Sequence, residues 1–221
     1  MTRTGKVTGL LGGSFNPAHG GHRAITLAAI TALGLDEVWW LVSPGNPLKP
    51  AEGMAPLAAR VRSAQAQAAR ALIRVTAIER ELGTRFTIDT LRALKRRFRR
   101  RRFVWLMGAD NLAQLHLWKD WQNIAREMPI AVIARPGYDA DALASPAMAW
   151  LRRYRLPEAS LKNRQEWSAP ALIELRFDPD PRSATALRQA DPDWARRSAG
   201  PPPRDAVTHS LIPDPASPER A

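Results

Sequence analysis

The sequence predicts an α/β fold in which helices cover both faces of a parallel β-sheet. Short apolar runs of strand length alternate with segments of helical periodicity, a pattern typical of β-α-β units. Glycines and polar residues follow the apolar runs, and in such sheets ligands bind beyond the carboxyl ends of the strands. We therefore expect a Rossmann-like, doubly wound parallel sheet that forms a single domain over residues 1–198.

Six apolar runs are the predicted strands. They lie at residues 7–11, 37–42, 72–77, 103–107, 130–134 and 172–175. The fifth run is followed at once by Arg135, Pro136 and Gly137, which stop a strand. Because the carboxyl ends of parallel strands meet at one edge of the sheet, we expect the loops after these runs to converge on one crevice.

Five segments are predicted helices, four between the runs and one after the last run. The first follows the first strand, and Gly34 is expected to end it, because glycine readily adopts the left-handed conformation found after a helix. The segments lie at residues 24–33, 56–71, 86–98, 140–154 and 183–190. Residues 139–170 are otherwise irregular, and their sequence indicates no function.

Composition narrows the kinds of protein and site that need considering. The 221 residues include no cysteine, which excludes disulfides and thiolate metal sites. Neither a signal peptide nor an apolar run approaching ~18 residues is visible, so we expect a cytoplasmic protein with no membrane partner. Residues 199–221 are rich in proline and poor in apolar side chains, which predicts a disordered or loosely extended tail.

The net charge of +12 is typical of proteins that bind nucleic acid or polyphosphate substrates. Much of this charge lies in the basic run at residues 95–102. One interpretation is an RNA-binding module that uses this run. The other is a solvated helix end, where the helix dipole favours cations. We favour the helix end, because the run has few aromatic side chains on which bases could stack.

The most informative segment is LLGGSFNPAHGGH at residues 10–22, which joins the first predicted strand to the first predicted helix. Backbone N–H groups at a helix start lack intrahelical partners, and the helix dipole adds positive charge there, so an anion is favoured. Gly12 and Gly13 remove the Cβ atoms that would keep a ligand from the backbone. Ser14 and Asn16 have short side chains that close turns, so we expect a rigid, open turn.

His19 and His22 stand three residues apart, so within a helix they share a face and point at the same anion. Imidazole N–H groups suit a phosphoryl group whose charge grows in the transition state. Two histidines beside a glycine-rich turn are also compatible with a metal site or a helix cap. The string GGSFNPAHGGH resembles the GGxF[DN]PxHxGH signature of the HxGH nucleotidyltransferases, and more narrowly that of the bacterial nicotinate-nucleotide adenylyltransferases.

This resemblance implies an enzyme of NAD biosynthesis that joins nicotinate mononucleotide to the AMP moiety of ATP and releases pyrophosphate. It implies catalysis by placement and charge stabilisation around the phosphates, without a protein nucleophile. The implied catalytic residues are His19, His22, Lys49 and Arg188. The residues implied for ATP and its phosphates are Gly12, Gly13, Ser14, Phe15, Asn16, Gly108, Asp110, Ser183, Thr185 and Arg188. The residues implied for nicotinate mononucleotide are Lys49, Thr87, Trp118 and Arg135.

The string SATALR at residues 183–188 resembles the family's second signature, [ST]-[ST]-T-x-[IL]-R. Hydroxyls at a helix start, with an arginine one turn later, form a second place where an anion is favoured. The resemblance implies that this segment holds the β- and γ-phosphates while the histidines face the α-phosphate. The sequence departs from the signature at Arg182, usually apolar, and at Ala184, where a hydroxyl is common. A plain serine N-cap is the alternative interpretation.

The acceptor side of the site is implied by FTIDTL at residues 86–91, GADN at residues 108–111, and Trp118. An indole face attracts a cationic pyridinium ring, and the resemblance assigns Thr87 to the pyridine carboxylate and Asp110 to ribose hydroxyls. Lys49 matches a lysine that would neutralise the acceptor phosphate. The alternatives are a helix cap for Thr87 and core packing for Trp118.

The resemblance also implies what accompanies the enzyme. We expect Mg²⁺ to arrive on ATP, because no clustered carboxylates indicate a dedicated metal site. ATP and nicotinate mononucleotide are the expected partners, no stable nucleic-acid partner is expected, and the sequence does not indicate an oligomeric state. Two alternatives stay open: another HxGH adenylyltransferase that uses nicotinamide mononucleotide or phosphopantetheine, and the RNA-binding module of residues 95–102.

Overall fold

A computed structural model of the chain describes residues 5–45, 53–134, 139–164, 167–177 and 184–213. The strands in these residues are β1 (Val7–Gly13), β2 (Glu37–Val42), β3 (Ile73–Thr76), β4 (Arg102–Gly108), β5 (Ile130–Ala134) and β6 (Leu172–Arg176). They form one sheet in the order β3-β2-β1-β4-β5-β6, and every pairing is parallel. The predicted α/β fold with a parallel sheet is confirmed.

The α-helices of the described residues lie between consecutive strands or after β6. They are α1 (Gly20–Leu33), α2 (Leu57–Ala68), α3 (Ile78–Leu82), α4 (Thr87–Arg97), α5 (Ala109–Gln114), α6 (Trp121–Glu127), α7 (Asp139–Ala144), α8 (Pro146–Leu151), α9 (Ala184–Ala190) and α10 (Trp194–Arg197). Within the described ranges, none of these helices has the length and apolar character needed to cross a membrane.

The sequence signals for the longer helices are confirmed. The helix α1 ends where expected, with Gly34 in the left-handed conformation at φ 57°. The segment predicted as one helix at 140–154 is two helices, α7 and α8. Ser145 accounts for the break, because its side chain accepts a hydrogen bond from the Met148 N–H at 3.1 Å and so caps a new helix that begins with Pro146.

The strand order reverses between β1 and β4, which are neighbours in the sheet although about 90 residues separate them. Leu11 of β1 lies opposite Leu106 of β4, while Gly13 lies opposite Val42 at the end of β2. The carboxyl ends of three strands therefore meet around the turn after β1. A crevice at this reversal is where open α/β sheets bind ligands.

The apolar core consists of two clusters, one on each face of the sheet. Successive strand residues point to opposite faces, so Trp40 joins the cluster that includes Ile25 of α1, and Trp39 joins the cluster that includes Leu91 of α4. Both tryptophans are fully buried. Helices thus cover both faces, as the doubly wound architecture predicts.

Residues 199–213 belong to the tail that the sequence predicts to be disordered or loosely extended. We name them the C-terminal strap, and they form specific hydrogen bonds with the edge of the sheet. Asp205 is 2% exposed, and its carboxylate accepts hydrogen bonds from the Thr76 hydroxyl at 2.8 Å and the Ala77 N–H at 2.7 Å. The Ala206 N–H donates to the Val75 carbonyl at 3.0 Å, on the outer side of the edge strand β3. Backbone and carboxylate hydrogen bonds therefore hold the strap against β3. Its low apolar content gave no indication of this placement.

The basic run of residues 95–102 is partly used by the fold itself. Lys95 pairs with Glu127 at 2.8 Å and Arg97 with Glu81 at 3.0 Å. Arg101 binds Glu37 at 2.6 Å and lies over the ring of Trp39, with 5.0 Å between the guanidinium carbon and the ring centroid. These contacts favour the interpretation of the run as a helix end and strand entry.

Candidate active site

The turn between β1 and α1 is held from behind by buried side chains. Phe15 adopts a positive φ of 47°, and its buried ring packs against Trp40 at 5.0 Å and His22 at 4.8 Å between centroids. The Asn16 side chain donates to the Gly53 carbonyl at 2.9 Å and accepts from the Ala55 N–H at 3.2 Å. Both residues were implied for ATP, and their described contacts support the turn rather than line its open side.

His19 and His22 stand together at the start of α1, with 4.0 Å between ring centroids. His19 caps the helix: its Nδ1 accepts from the Gly21 N–H at 3.1 Å, while the His22 Nδ1 accepts from the His19 N–H at 3.3 Å. A neutral imidazole whose Nδ1 accepts carries its proton on Nε2. The helix cap that was the alternative reading of these histidines is present, and it fixes Nε2–H as the donor of each neutral ring.

The two glycines of the turn serve different contacts. A Cβ on Gly12 would lie 2.6 Å from Cη2 of Trp105, and a Cβ on Gly13 would lie 3.4 Å from the ring of Phe15. The expected reason for both was ligand access to the backbone. At Gly12 the structure supplies a stronger reason, because the buried indole of Trp105 occupies the space of a side chain.

A cavity of about 550 Å³ opens at the carboxyl edge of the sheet. It lies between the turn after β1, the loop after β2, the start of α3, the start of α4, and the segment that follows β4. Of the residues predicted for the site, those that line the cavity are Gly12, Gly13, Ser14, His19, His22, Thr87, Gly108, Asp110 and Trp118. Residues implied for ATP and residues implied for the acceptor therefore line one cavity, whereas Phe15, Asn16, Thr185 and Arg188 are not among its lining residues.

Three predicted site residues, Lys49, Arg135 and Ser183, lie outside the described residues. Ala184, which replaces a common hydroxyl of the second signature, lines the cavity. Arg188 of α9 donates to the Asn16 carbonyl at 2.6 Å and to the Thr185 hydroxyl at 3.2 Å. The second signature thus contacts the turn that the first signature forms, although 172 residues separate Arg188 from Asn16.

Aromatic side chains lie in the part of the cavity that the sequence motifs imply for the acceptor. Trp118 meets Trp105 edge to face, with centroids 6.4 Å apart and an angle of 80° between the rings. Trp121, the neighbouring tryptophan, packs instead on Trp150 at 5.6 Å. Lys119 lies 4.6 Å from the centroid of the Phe86 ring and pairs with Asp89 at 3.0 Å. Trp118 is half-buried and faces the cavity, as a stacking residue must.

Glu79 is a cavity residue to which no sequence motif assigned a role. It follows β3 in the short helix α3, and its carboxylate accepts a hydrogen bond from the Thr90 hydroxyl at 3.3 Å. Burial raises the pKa of Glu79 to about 7, although hydrogen bonds from Thr90 and Ser43 act in the opposite direction. Its position after a predicted strand was the available signal, and only the fold shows that its carboxylate is partly withdrawn from solvent at the cavity wall.

Charged groups of the cavity do not form a metal centre in the described part of the chain. Asp110 and Glu79 line the cavity from different strand ends. No group of three or more His, Asp or Glu side chains in the described ranges is arranged to hold an ion. The geometry instead offers imidazole and backbone N–H donors, which suit an anionic ligand.

Comparison with known proteins places this geometry in a family. The family model described as "Cytidylyltransferase-like" matches residues 10–190. A protein of Erythrobacter litoralis named "Probable nicotinate-nucleotide adenylyltransferase" is 68% identical over 205 residues, which cover 93% of this chain and 94% of that protein. A protein of the same name from a Bradyrhizobium species is 50% identical over 186 residues, which cover 84% of this chain and 97% of that protein.

A solved structure shares the fold. It is described as "Plasmodium falciparum nicotinic acid mononucleotide adenylyltransferase complexed with NaAD", and it superposes with a TM-score of 0.59 at 17% identity, covering 83% of each chain. The resemblance read from the motifs is confirmed by the relatives of high identity. The chain therefore belongs to the cytidylyltransferase-like family and, within it, to the nicotinate-nucleotide adenylyltransferases.

Proposed function

We propose that the chain transfers the AMP moiety of ATP to nicotinate mononucleotide, giving nicotinate adenine dinucleotide and pyrophosphate. A phosphate oxygen of the mononucleotide attacks the α-phosphorus of ATP and forms a new P–O bond. The bond from the α-phosphorus to the bridging oxygen breaks, and the electron pair leaves with pyrophosphate. The observation that carries the proposal is the pair of imidazoles lining the cavity at the start of α1, 4.0 Å apart.

His19 and His22 are the proposed catalytic residues, and they act by donating hydrogen bonds. In each neutral ring Nδ1 accepts within the turn, so the ring proton is on Nε2, and we propose Nε2–H as the donor to nonbridging oxygens of the α-phosphate. These oxygens gain negative charge as the transition state forms, so the donors stabilise the transition state more than bound ATP. No proton transfer to the histidines is required.

Arg188 and Thr185 are the proposed contacts for the leaving pyrophosphate, together with Ser183. The Arg188 guanidinium has five N–H donors, of which one binds Asn16 and one binds Thr185. The remaining donors suit phosphate oxygens, which arginine binds in pairs. Because Arg188 is hydrogen-bonded to the turn of the first signature, the residues proposed for the leaving group and for the α-phosphorus are held at a fixed relative position.

Trp118 and Thr87 are the proposed contacts for the pyridine ring and its carboxylate. Both line the same cavity as the histidines, and an indole face stabilises a cationic pyridinium. We propose Lys49 and Arg135 for the phosphate of the same mononucleotide, as the family motifs imply. In-line attack needs the acceptor phosphate between these residues and the α-phosphate.

Mg²⁺ enters in this proposal as part of the substrate, held by the triphosphate oxygens of ATP. The described residues that line the cavity supply donors for anions and no carboxylate cluster. We further propose that the enzyme acts in the cytoplasm and has no stable nucleic-acid partner. Gel shift with mixed RNA at low salt tests the latter, because an RNA-binding module would give a complex with a steep salt dependence.

The test of the function is pyrophosphate release by the pure protein with Mg-ATP and one acceptor at a time. The acceptors are nicotinate mononucleotide, nicotinamide mononucleotide and phosphopantetheine. We expect the highest kcat/KM with nicotinate mononucleotide, accompanied by the dinucleotide product on chromatography. A preference for phosphopantetheine, or no release with any of the three, contradicts the proposal.

A further inference from the structure

Arg60 is a buried arginine beside the cavity to which neither the motifs nor the proposed reaction gives a role. It lies in α2 and is 1% exposed. Its guanidinium donates to four backbone carbonyls: Nε to Ala55 at 2.9 Å, one terminal nitrogen to Ser14 at 2.8 Å and Ser43 at 2.7 Å, and the other to Pro44 at 3.3 Å. Every partner is a main-chain oxygen in a loop.

These four carbonyls belong to the two loops that border the cavity. Ser14 lies in the turn between β1 and α1, and Ser43 follows β2; both line the cavity. The loops also contact each other through the Ser43 N–H, which donates to the Gly13 carbonyl at 3.0 Å. A planar guanidinium can bind several carbonyls at fixed angles, so Arg60 sets the distance between the two loops.

The charge of Arg60 has no carboxylate partner among the described residues. Its hydrogen bonds go to carbonyl dipoles, and no ion pair with Asp or Glu accompanies them there. Burial lowers the pKa of Arg60 to about 10, so the group stays charged at neutral pH. A buried cation that no described carboxylate neutralises is costly to the folded protein, and a neighbouring polyphosphate would supply negative charge.

We propose that Arg60 is a positioning residue that holds the turn between β1 and α1 and the loop after β2 at the distance that the reaction requires. We also propose that its buried charge strengthens binding of the nucleoside triphosphate. The inference rests on the proposed adenylyl transfer. Arg60 touches loop backbone rather than substrate, so it acts through Ser14 and Ser43. Position and charge are separable, because lysine keeps the charge but cannot span the same carbonyls.

The test compares Arg60→Met and Arg60→Lys with wild type in pyrophosphate release, in binding of a nonhydrolysable ATP analogue, and in thermal unfolding. For Arg60→Met we expect the KM for ATP to rise about tenfold and kcat to fall roughly 10- to 100-fold, since small misplacements around reacting atoms are costly. For Arg60→Lys we expect a KM for ATP within about threefold of wild type and a kcat about tenfold lower. Lysine keeps the positive charge but does not hold the two loops at the wild-type distance.

Arg62→Met is the matched control. Arg62 lies on the same helix and also donates to backbone carbonyls. Its partners are the carbonyl of Ser198 and those of Gly200 and Pro201 at the start of the C-terminal strap. We expect its removal to lower the unfolding temperature while kcat and the KM for ATP stay within about twofold of wild type, since its partners lie away from the reacting atoms. A role in folding alone would give the Arg60 and Arg62 variants this same pattern.

A folded Arg60→Met with kcat and KM for ATP both within twofold of wild type overturns the proposal. If Arg60→Met does not fold, Arg60→Lys decides, and a kcat equal to wild type overturns the positioning role. Failure of the proposed function is distinct, because wild type would then release no pyrophosphate with any acceptor. In that case the affinities of wild type and the Arg60 variants for the ATP analogue are compared, and they alone test whether the charge of Arg60 strengthens triphosphate binding.

Discussion

The indole of Trp105 fills the space beside Gly12 that any larger residue would need. A Cβ at residue 12 would lie 2.6 Å from Cη2 of Trp105, which real Cβ contacts do not tolerate. Trp105 is 4% exposed and meets Trp118 edge to face at 6.4 Å. One side chain therefore packs against both the phosphate turn and the proposed acceptor-stacking residue.

Gly12→Ala is expected to lower the free energy of unfolding by about 1–3 kcal/mol, because overpacking forces a buried ring to move. Chemical denaturation measures this change. Gly45→Ala is the stability control, since a Cβ at Gly45 has no atom within 4 Å. Equal stability of the two variants would mean that Trp105 shifts without cost.

Trp118→Ala is expected to raise the KM for nicotinate mononucleotide by roughly 2- to 30-fold, the range that a lost cation–π contact of about 0.5–2 kcal/mol implies. The KM for ATP should change little. Trp121→Ala is the matched control, because Trp121 packs on Trp150 rather than in the cavity. Initial rates at varied acceptor concentration distinguish the two, and a larger effect from Trp121 would contradict the assignment.

The raised pKa of Glu79 predicts that the stability of the protein depends on pH. Burial raises this pKa from 4.5 to about 7, so between these values the native state binds more protons than the unfolded state. The free energy of unfolding of wild type therefore falls as pH rises from about 4.5 to about 7. Glu79→Gln lacks this loss, and its stability relative to wild type should increase across the window by up to roughly 3 kcal/mol. Urea denaturation at pH 5 and pH 8 checks this, and a constant difference between the proteins would contradict it.

The sheet and the motif-bearing turns could be predicted from the sequence because their signals are local. Apolar runs such as residues 37–42 and 130–134 match their strands residue for residue. The histidine pair was found because a strand, a glycine turn and a helix are consecutive in the chain. The helices α3, α5, α6 and α10 gave no comparable signal, because four to seven residues are too few for a helical period to repeat.

The contacts that could not be predicted join residues far apart in sequence through backbone atoms. Arg60 binds carbonyls 5 to 46 residues away, and a carbonyl has no residue-type signature. The C-terminal strap lies in a segment predicted to be disordered or loosely extended, because its composition has few apolar side chains. Its anchor is the carboxylate of Asp205, which binds Thr76 and Ala77 at the end of β3.

Asp205→Ala is expected to lower the free energy of unfolding by about 2–4 kcal/mol, because it leaves the buried Thr76 hydroxyl and Ala77 N–H without their acceptor. The Asp205 carboxylate also accepts from the Val207 N–H at 2.8 Å and the Thr208 N–H at 3.0 Å, so the strap itself should loosen. Asp193→Ala is the control, because the Asp193 side chain forms an exposed pair with Arg196 and its removal should change stability by less than about 0.5 kcal/mol. Thermal and urea unfolding measure both variants, and equal losses would show that burial of Asp205 contributes nothing.

His22→Ala should lower kcat by about 10²–10³-fold while the affinity for an ATP analogue changes by less than about threefold, because a donor aimed at developing charge acts mainly in the transition state. His22 also keeps the His19 N–H bonded at 3.3 Å, so His22→Asn, which restores an acceptor, separates loss of the turn from loss of the donor. The control is His209→Asn in the C-terminal strap: the His209 side chain is exposed and its φ of 62° suits asparagine. Steady-state rates and equilibrium titration are measured on all three variants. An equal loss of kcat and ATP affinity in His22→Ala would place its hydrogen bond in the ground state and contradict the proposed role.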